Sequence, residues 1–179
     1  ALPCKMYYLN APIFRYEAPQ NGRLREHHQF GLECFGAQGA TADAELILLA
    51  YKLLGTLGVK NLSVNINSIG CPNCRPNYRA ALVEYFSAHE AELCPTCQAR
   101  LKTNPLRILD CKSPICHKIA EGAPRTLDHL CPDCADHHKG LTEALDALGI
   151  AYEVDTAIVR GLDYYTRTVF EFIAEGIGA

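Results

Sequence analysis

Eight of the ten cysteines lie between positions 71 and 134 in four close pairs, Cys71/Cys74, Cys94/Cys97, Cys111/Cys116 and Cys131/Cys134. Cys4 and Cys34 stand outside this pattern. Pairs with two to four intervening residues have the ligand spacing of tetrahedral zinc sites, whose thiolates close the metal off from chemistry and leave it a structural role. Free or redox-active thiols and disulfides are the alternatives. A Cys-x-x-Cys redox site needs no second pair, and a reducing compartment disfavours disulfides. A second capable group opens the chain. If the first stretch is a β-hairpin, alternation puts Arg15 and Glu17 on one face of its first strand, and Gln29, Gly31 and Glu33 on one face of its second. A guanidinium fork, a carboxylate and an amide converging there could hold a phosphate and an amine, with Gly31 leaving room for close approach. A solvated strand face is the alternative. Near the end, Arg160-Gly161-Leu162-Asp163-Tyr164-Tyr165 sets two phenols beside an arginine, around a glycine that permits an unusual turn; a plain surface turn is the other reading.

The elements that must position these residues are legible from pattern. Tyr7 to Gly36 reads as two extended segments around the turn signals of Ala18-Pro19-Gln20-Asn21-Gly22. From Asp43 to Leu57, Leu46, Ile47, Leu49, Ala50, Leu53, Leu54 and Leu57 form one helical face, closed by Gly58. Leu62, Val64 and Ile66 alternate with Ser63, Asn65 and Asn67 as in a half-buried strand. Beyond Gly70 the composition shifts. A helix is expected over Tyr78 to Leu93 with Pro76 tolerated near its start, and Asn104-Pro105, Ser113-Pro114 and Ala123-Pro124 interrupt further helix. A helix from Ala135 to Leu148, ending at Gly149, leads into Tyr152-Glu153-Val154, and Thr166 to Ile173 alternates again like a strand. The expected fold is α+β and mainly antiparallel, with residues 1–69 and 136–179 forming one domain and residues 70–135 a small, mostly helical, cysteine-rich insert.

Helix length also bears on cysteine grouping. A single helix over Tyr78 to Leu93 extends about 24 Å at about 1.5 Å per residue, which separates Cys71/Cys74 from Cys94/Cys97. The preferred sets are therefore Cys94, Cys97, Cys111, Cys116 and Cys71, Cys74, Cys131, Cys134, giving two zinc ions; one zinc or an interleaved pairing stays open. Eight cysteines complete both sets, so His117, His137 and His138 are read as surface helix residues.

At 179 residues the chain has room for one domain, or one with an insert, and 49 % hydrophobic with 21 % charged residues is ordinary for a folded protein. No apolar run approaches the roughly 20 residues that span a bilayer, and the first residues lack a secretion-signal layout, so the expected compartment is the cytoplasm with no membrane partner. A net charge of −3 gives no global footprint for nucleic acid, which leaves local basic clusters for any such contact.

Taken together, Phe14-Arg15-Tyr16-Glu17, Pro19-Gln20, Gly22-Arg23, Gln29 and Glu33 resemble motif 2 of the class II aminoacyl-tRNA synthetases. The histidyl family fits best, because Arg160-Gly161-Leu162-Asp163-Tyr164-Tyr165-Thr166-Arg167-Thr168-Val169-Phe170-Glu171 is similar to its histidine-binding signature, and Asn104-Pro105-Leu106-Arg107-Ile108-Leu109-Asp110 resembles its insertion domain. The resemblance implies part of a class II antiparallel sheet with flanking helices. It also implies a two-step ligase, in which histidine and ATP with magnesium give histidyl-adenylate, and the histidyl group passes to the 3′ end of tRNA(His).

By carry-over onto matching positions, Arg15 would clamp the α-phosphate and Arg160 would approach it from the other side, with Glu17 and Arg23 also near ATP. Gln29 and Glu33 would receive the ammonium and imidazole groups of histidine, and Tyr164 and Tyr165 would bound the imidazole pocket. The tip from Gln20 to Arg25 would lie near the tRNA acceptor end, where Ala18 replaces a common arginine. In the insert, Arg75, Arg79, Arg100, Lys102 and Arg107 offer phosphate contacts, or else a solvated helical surface. Motif 1, motif 3 and an anticodon-binding domain find no counterpart, so the expectation is an internal fragment of a homodimeric parent, inactive alone. An inactive regulatory paralogue and a zinc-dependent RNA-binding module are the competing readings.

Overall fold

The structure is a computed structural model that describes residues 1–16, 18–19, 24–159 and 164–174. It divides into two compact units, one built on Ala1–Leu62 and one on Ser63–Ile173. In the first unit, strands β1 (Cys4–Phe14) and β2 (Glu26–Phe35) pair antiparallel and are followed by helix α1 (Ala40–Thr56). The expected hairpin and helix are thus present. On α1 only Ala44 and Ile47 are fully buried, while Leu49 and Leu57 of the expected apolar face are exposed. The helix stops where Gly58 was expected to stop it, with the Gly58 and Val59 N–H groups donating to the carbonyls of Gly55 and Leu54. Lys5 on β1 reaches Glu45 on α1 at 2.6 Å, and this hydrogen bond raises the lysine pKa.

The hairpin register shifts by one residue between Asn10 and Ile13. Before the shift Met6 and Tyr8 lie opposite Glu33 and Gly31; after it Ile13 lies opposite His27. The Arg15 N–H donates to the Arg25 carbonyl at 2.9 Å, carrying the new register one pair further. A one-residue slip moves every following residue to the other face. Arg15 therefore shares its face with His27, Gln29, Gly31 and Glu33.

In the second unit, β3 (Leu62–Ser68) is the middle strand of a sheet ordered β4-β3-β5, with β4 at Glu153–Val154 and β5 at Thr168–Ala174. The β3–β4 pair is parallel within the α+β architecture, because a helix returns the chain before β4. One departure concerns burial. Val64 to Ser68 are all buried, so β3 is covered on both faces and its polar residues are interior rather than solvated. Asn67, fully buried, donates from its amide nitrogen to the carbonyls of Thr156 at 3.4 Å and Ile158 at 3.1 Å, and accepts from the Ser68 N–H at 2.8 Å. Only one amide orientation satisfies all three bonds. Asn65 donates to Asp155, but its carbonyl oxygen has no partner among the described residues, a shortfall that costs about 1–3 kcal/mol.

Between β3 and β4 the chain forms α2 (Arg75–Ser87), α3 (Pro95–Thr103), α4 (Leu106–Leu109), α5 (Pro114–Ala120) and α6 (Pro132–Ala147), with short 3-10 turns at Glu90–Glu92 and Thr126–His129. The helix expected to reach Leu93 ends at Ser87. Pro95 holds Cys94 extended, at ψ 156°, so no helix runs through Cys94 into the next one. Pro95, Pro114 and Pro132 each open a helix, where a missing N–H costs nothing. The insert core gathers Tyr78, Leu82, Phe86, Leu101 and Ile108 with Cys97, Cys111 and Cys116. His117 is exposed as expected, 3.5 Å from Glu121, whereas His137 and His138 are half-buried on the inner side of α6.

Two outcomes follow. Replacing Asn67 by Ala orphans the Ile158 carbonyl and the Ser68 N–H, and should destabilise the protein by about 2–3 kcal/mol in urea unfolding. Burial, with His137 alongside, lowers the His138 pKa below 6.5, so the folded protein disfavours the protonated ring. The stability held above pH 6.5 must then decline as pH falls through the interval down to the folded-state value. A His138→Gln variant should show a flatter stability profile between pH 7 and about pH 5 in thermal melts.

Candidate functional site

On the hairpin, Gln29 and Glu33 stand exposed on the face that Arg15 joins just past the end of β1. The space expected above Gly31 is taken by this chain's own Tyr8. A Cβ on Gly31 would overlap the Tyr8 ring, and the Gln29 amide donates to the Tyr8 hydroxyl at 2.8 Å. Glycine under a cross-strand aromatic lets the ring lie flat on the backbone. Tyr8 thus orients Gln29, a contact missed in the sequence; its signal was a tyrosine opposite a strand glycine, visible only once register is known. The Arg25 guanidinium sits 5.9 Å over the exposed Tyr16 ring. Glu17, Gln20, Arg23 and Arg160 lie outside the described residues.

In the second unit, the Tyr164 and Tyr165 rings are 4.9 Å apart and tilted by 41°. A hydrogen bond with Tyr165 raises the Tyr164 pKa. In the insert, Arg79 donates to the Thr103 carbonyl at 3.2 Å and Arg100 to the Arg107 carbonyl at 2.9 Å. These two guanidinium groups tie α2 to α3 and α3 to α4. Lys102 is exposed, and Arg75 and Arg107 are half-buried.

The eight cysteines converge in two sets, Cys71, Cys74, Cys131, Cys134 and Cys94, Cys97, Cys111, Cys116, and within each set all sulfurs lie within 4.8 Å of one another. Sequence fixes half of each arrangement. Cys71 and Cys74 are joined by a tight turn in which the Cys74 N–H donates to the Cys71 carbonyl at 3.0 Å, and Cys131 and Cys134 bracket the first turn of α6 in the same way. Sulfur separations are 3.5 Å for Cys71–Cys74, 3.8 Å for Cys71–Cys131 and 3.9 Å for Cys94–Cys111. A tetrahedron with metal–sulfur bonds of about 2.3 Å has edges of about 3.8 Å. These separations fit it, and far exceed a disulfide's roughly 2.05 Å.

Backbone donors also point at the sulfurs, Cys131 N–H to Cys74 Sγ at 3.1 Å and Cys94 N–H to Cys116 Sγ at 3.2 Å. The Cys74 N–H lowers the Cys71 thiol to about 6, and the Cys97 N–H lowers that of Cys94 to about 7. Burial pushes Cys134 up to about 12 and raises Cys97 as well. Four thiols this close cannot all ionise unless a cation shares their charge. Donor set, spacing and burial fit a closed, structural zinc site in both places.

Residues 2–179 match the sequence model of the histidyl-tRNA synthetase family. A histidine–tRNA ligase of Caldanaerobacter subterraneus subsp. tengcongensis is 54 % identical over 177 residues, covering 99 % of this chain and 42 % of that protein. The histidine–tRNA ligase of Desulforamulus reducens is 51 % identical with the same coverage. Among solved structures, apo histidyl-tRNA synthetase of S. aureus matches with a TM-score of 0.71 and 37 % identity, over 96 % of this chain and 39 % of that one. A Bacillus halodurans protein described as an ATP phosphoribosyltransferase regulatory subunit/histidyl-tRNA synthetase shares the fold, with a TM-score of 0.61 at 23 % identity. The chain belongs to the histidyl-tRNA synthetase family, and it spans about two fifths of the length of these ligases. None of the helices among the described residues is long and apolar enough to cross a membrane.

The close packing of Tyr8 on Gly31 is testable by itself. Gly31→Ala should expel the ring and cost about 1–3 kcal/mol, and adding Tyr8→Ala should restore part of the loss in thermal melts, since the clash is then gone.

Proposed function

We propose that this chain supplies part of the catalytic domain, with its insertion domain at residues 70–135, of a cytoplasmic, homodimeric histidine–tRNA ligase. The intact enzyme would join histidine to ATP, taken up as its magnesium complex, releasing pyrophosphate and forming histidyl-adenylate. It would then pass the histidyl group to the 3′ end of tRNA(His). The observation that carries this reading is identity above 50 % to two histidine–tRNA ligases over 99 % of the chain. The shifted hairpin register supports it, because that shift puts Arg15 on the face of Gln29 and Glu33.

In the adenylation step the histidine carboxylate attacks the α-phosphorus and pyrophosphate leaves in line. Negative charge grows on the α-phosphate oxygens. Arg15, and Arg160 from the opposite side, would stabilise it with fixed donors, and Glu17 and Arg23 would help to hold ATP. Glu33 suits an ammonium group, being an exposed carboxylate on the same strand face as the oriented amide of Gln29. Tyr164 and Tyr165 would flank the imidazole. A pocket that hydrogen-bonds an imidazole rejects analogues lacking that group more strongly than an apolar pocket does. Gln20, Arg25 and, on the insert, Arg75, Arg79, Arg100, Lys102 and Arg107 would contact tRNA, the last five through phosphates. Two structural zinc ions, one per cysteine quartet, would complete the insert.

The test is Arg15→Lys in the intact ligase, read by histidine-dependent ATP–pyrophosphate exchange. Lysine keeps the charge but loses the bidentate fork, so kcat should fall roughly 100-fold with a much smaller change in the histidine KM. Exchange at the unaltered rate would overturn the assignment of Arg15. Absence of exchange in the unaltered ligase would favour a regulatory paralogue.

A further inference from the structure

We infer that the two cysteine quartets do different work: zinc at Cys71, Cys74, Cys131 and Cys134 locks the end of the β3–β5 sheet that leads to Tyr164 and Tyr165, whereas zinc at Cys94, Cys97, Cys111 and Cys116 holds only the insert. The inference rests on the zinc reading above and assigns each ion its mechanical task.

The first quartet grows directly out of the sheet. Gly70, one residue before Cys71, accepts the Arg167 N–H at 2.8 Å, and Ile69 donates its N–H to the Arg167 carbonyl at 2.8 Å. Gly70 has φ 65° and Arg167 has φ 61°, so left-handed residues face each other across this strand end. A Cβ on Gly70 would meet Cys74 Cβ at 2.9 Å, so glycine alone lets the cysteine turn pack against the strand. A non-glycine residue in the left-handed region persists only where its surroundings hold it. The surroundings of Arg167 include two backbone bonds to Ile69 and Gly70, and His137 of α6, whose Nδ1 lies 3.5 Å from its guanidinium. Both anchors hang on the same four sulfurs. Gly70 is bonded to Cys71, and α6 begins at Cys131 and Cys134. One ion bridging these cysteines therefore fixes these two supports of Arg167, the strand end and α6, relative to each other, and Tyr165 lies two residues before Arg167.

The second quartet is built differently. Cys97, Cys111 and Cys116 are members of the insert's own apolar core, beside Phe86, Leu101 and Ile108, and that core meets the later chain through Val159. Its backbone-to-sulfur bond, Cys94 N–H to Cys116 Sγ, joins two insert segments.

The experiment compares Cys71→Ser and Cys97→Ser in the intact ligase, by zinc content and by amide hydrogen exchange. Each variant should lose one of two zinc ions. Cys71→Ser should speed exchange of the Ile69 and Arg167 amides by about tenfold or more and raise the histidine KM several-fold. Cys97→Ser should instead speed exchange across α3 to α5 while the Ile69 and Arg167 amides keep their protection. Cys71→His, which retains a ligand, should keep both the zinc and the protection. If Cys71→Ser does not fold, stepwise chelation of the unaltered ligase replaces it, with loss of the first-quartet ion expected to coincide with loss of Arg167 protection. Unaltered ligase without zinc would overturn the zinc reading and this inference together. Two bound zinc ions, with Arg167 protection indifferent to the first quartet or equally sensitive to both, would overturn the division of labour alone.

Discussion

A chain that leaves strand β3 for a run of short helices must hold the two ends of that run together, and here the ends are Cys71/Cys74 and Cys131/Cys134, with Cys71 and Cys131 sulfurs 3.8 Å apart. The short helices between them start and end at that closure. The intervening helices run from four to thirteen residues, too short to be stable by themselves in water. They persist because they share one core, in which three buried cysteines of the second quartet take places that a larger domain would give to leucine or phenylalanine. Small domains short of apolar area commonly rely on metal or covalent staples. The prolines at helix starts add to this by presetting the backbone beside the cysteines rather than breaking it.

The second unit's sheet is organised around a strand buried on both faces. Such a strand has no solvent to satisfy its polar side chains, so Asn67 must find its partners inside, and it finds them in the segment that follows β4. That segment, Asp155 to Val159, precedes the arginine-bearing signature directly. Backbone contacts reinforce it, with Asp155 N–H donating to Ile66 and Ile158 N–H to Asp155. A polar residue in a core strand thus serves as a spacer between sheet and loop, where an aliphatic side chain could only fill volume.

The hairpin shows how little separates an arranged site from a scattered one. A single extra residue in β1 decides whether the arginine of the motif faces the amide and carboxylate or points away from them. On the same face a glycine accepts an aromatic ring, and the ring's hydroxyl fixes the amide.

Much of this protein was legible in the chain alone, for physical reasons. Alternation and helical spacing report which side chains need burial, so the hairpin, α1, β3 and α6 could be read locally, with Gly58 and Gly149 marking helix ends. The ligating chemistry was legible because thiolate spacing within a turn is set by local backbone geometry. Even the grouping into quartets was preferred on the length of one helix, with an interleaved pairing left open, although that helix proved shorter than its pattern implied. Tertiary structure alone decided the rest. Whether β3 was half-buried or wholly interior depended on what packs on its second face. The parallel direction of β4 depended on where α6 returned the chain. The face taken by Arg15 depended on a bulge, and the occupant of the space above Gly31 on the register across the hairpin. Each of these is a relation between segments distant in sequence, and local propensity carries no information about such relations until packing and hydrogen bonding select one pairing.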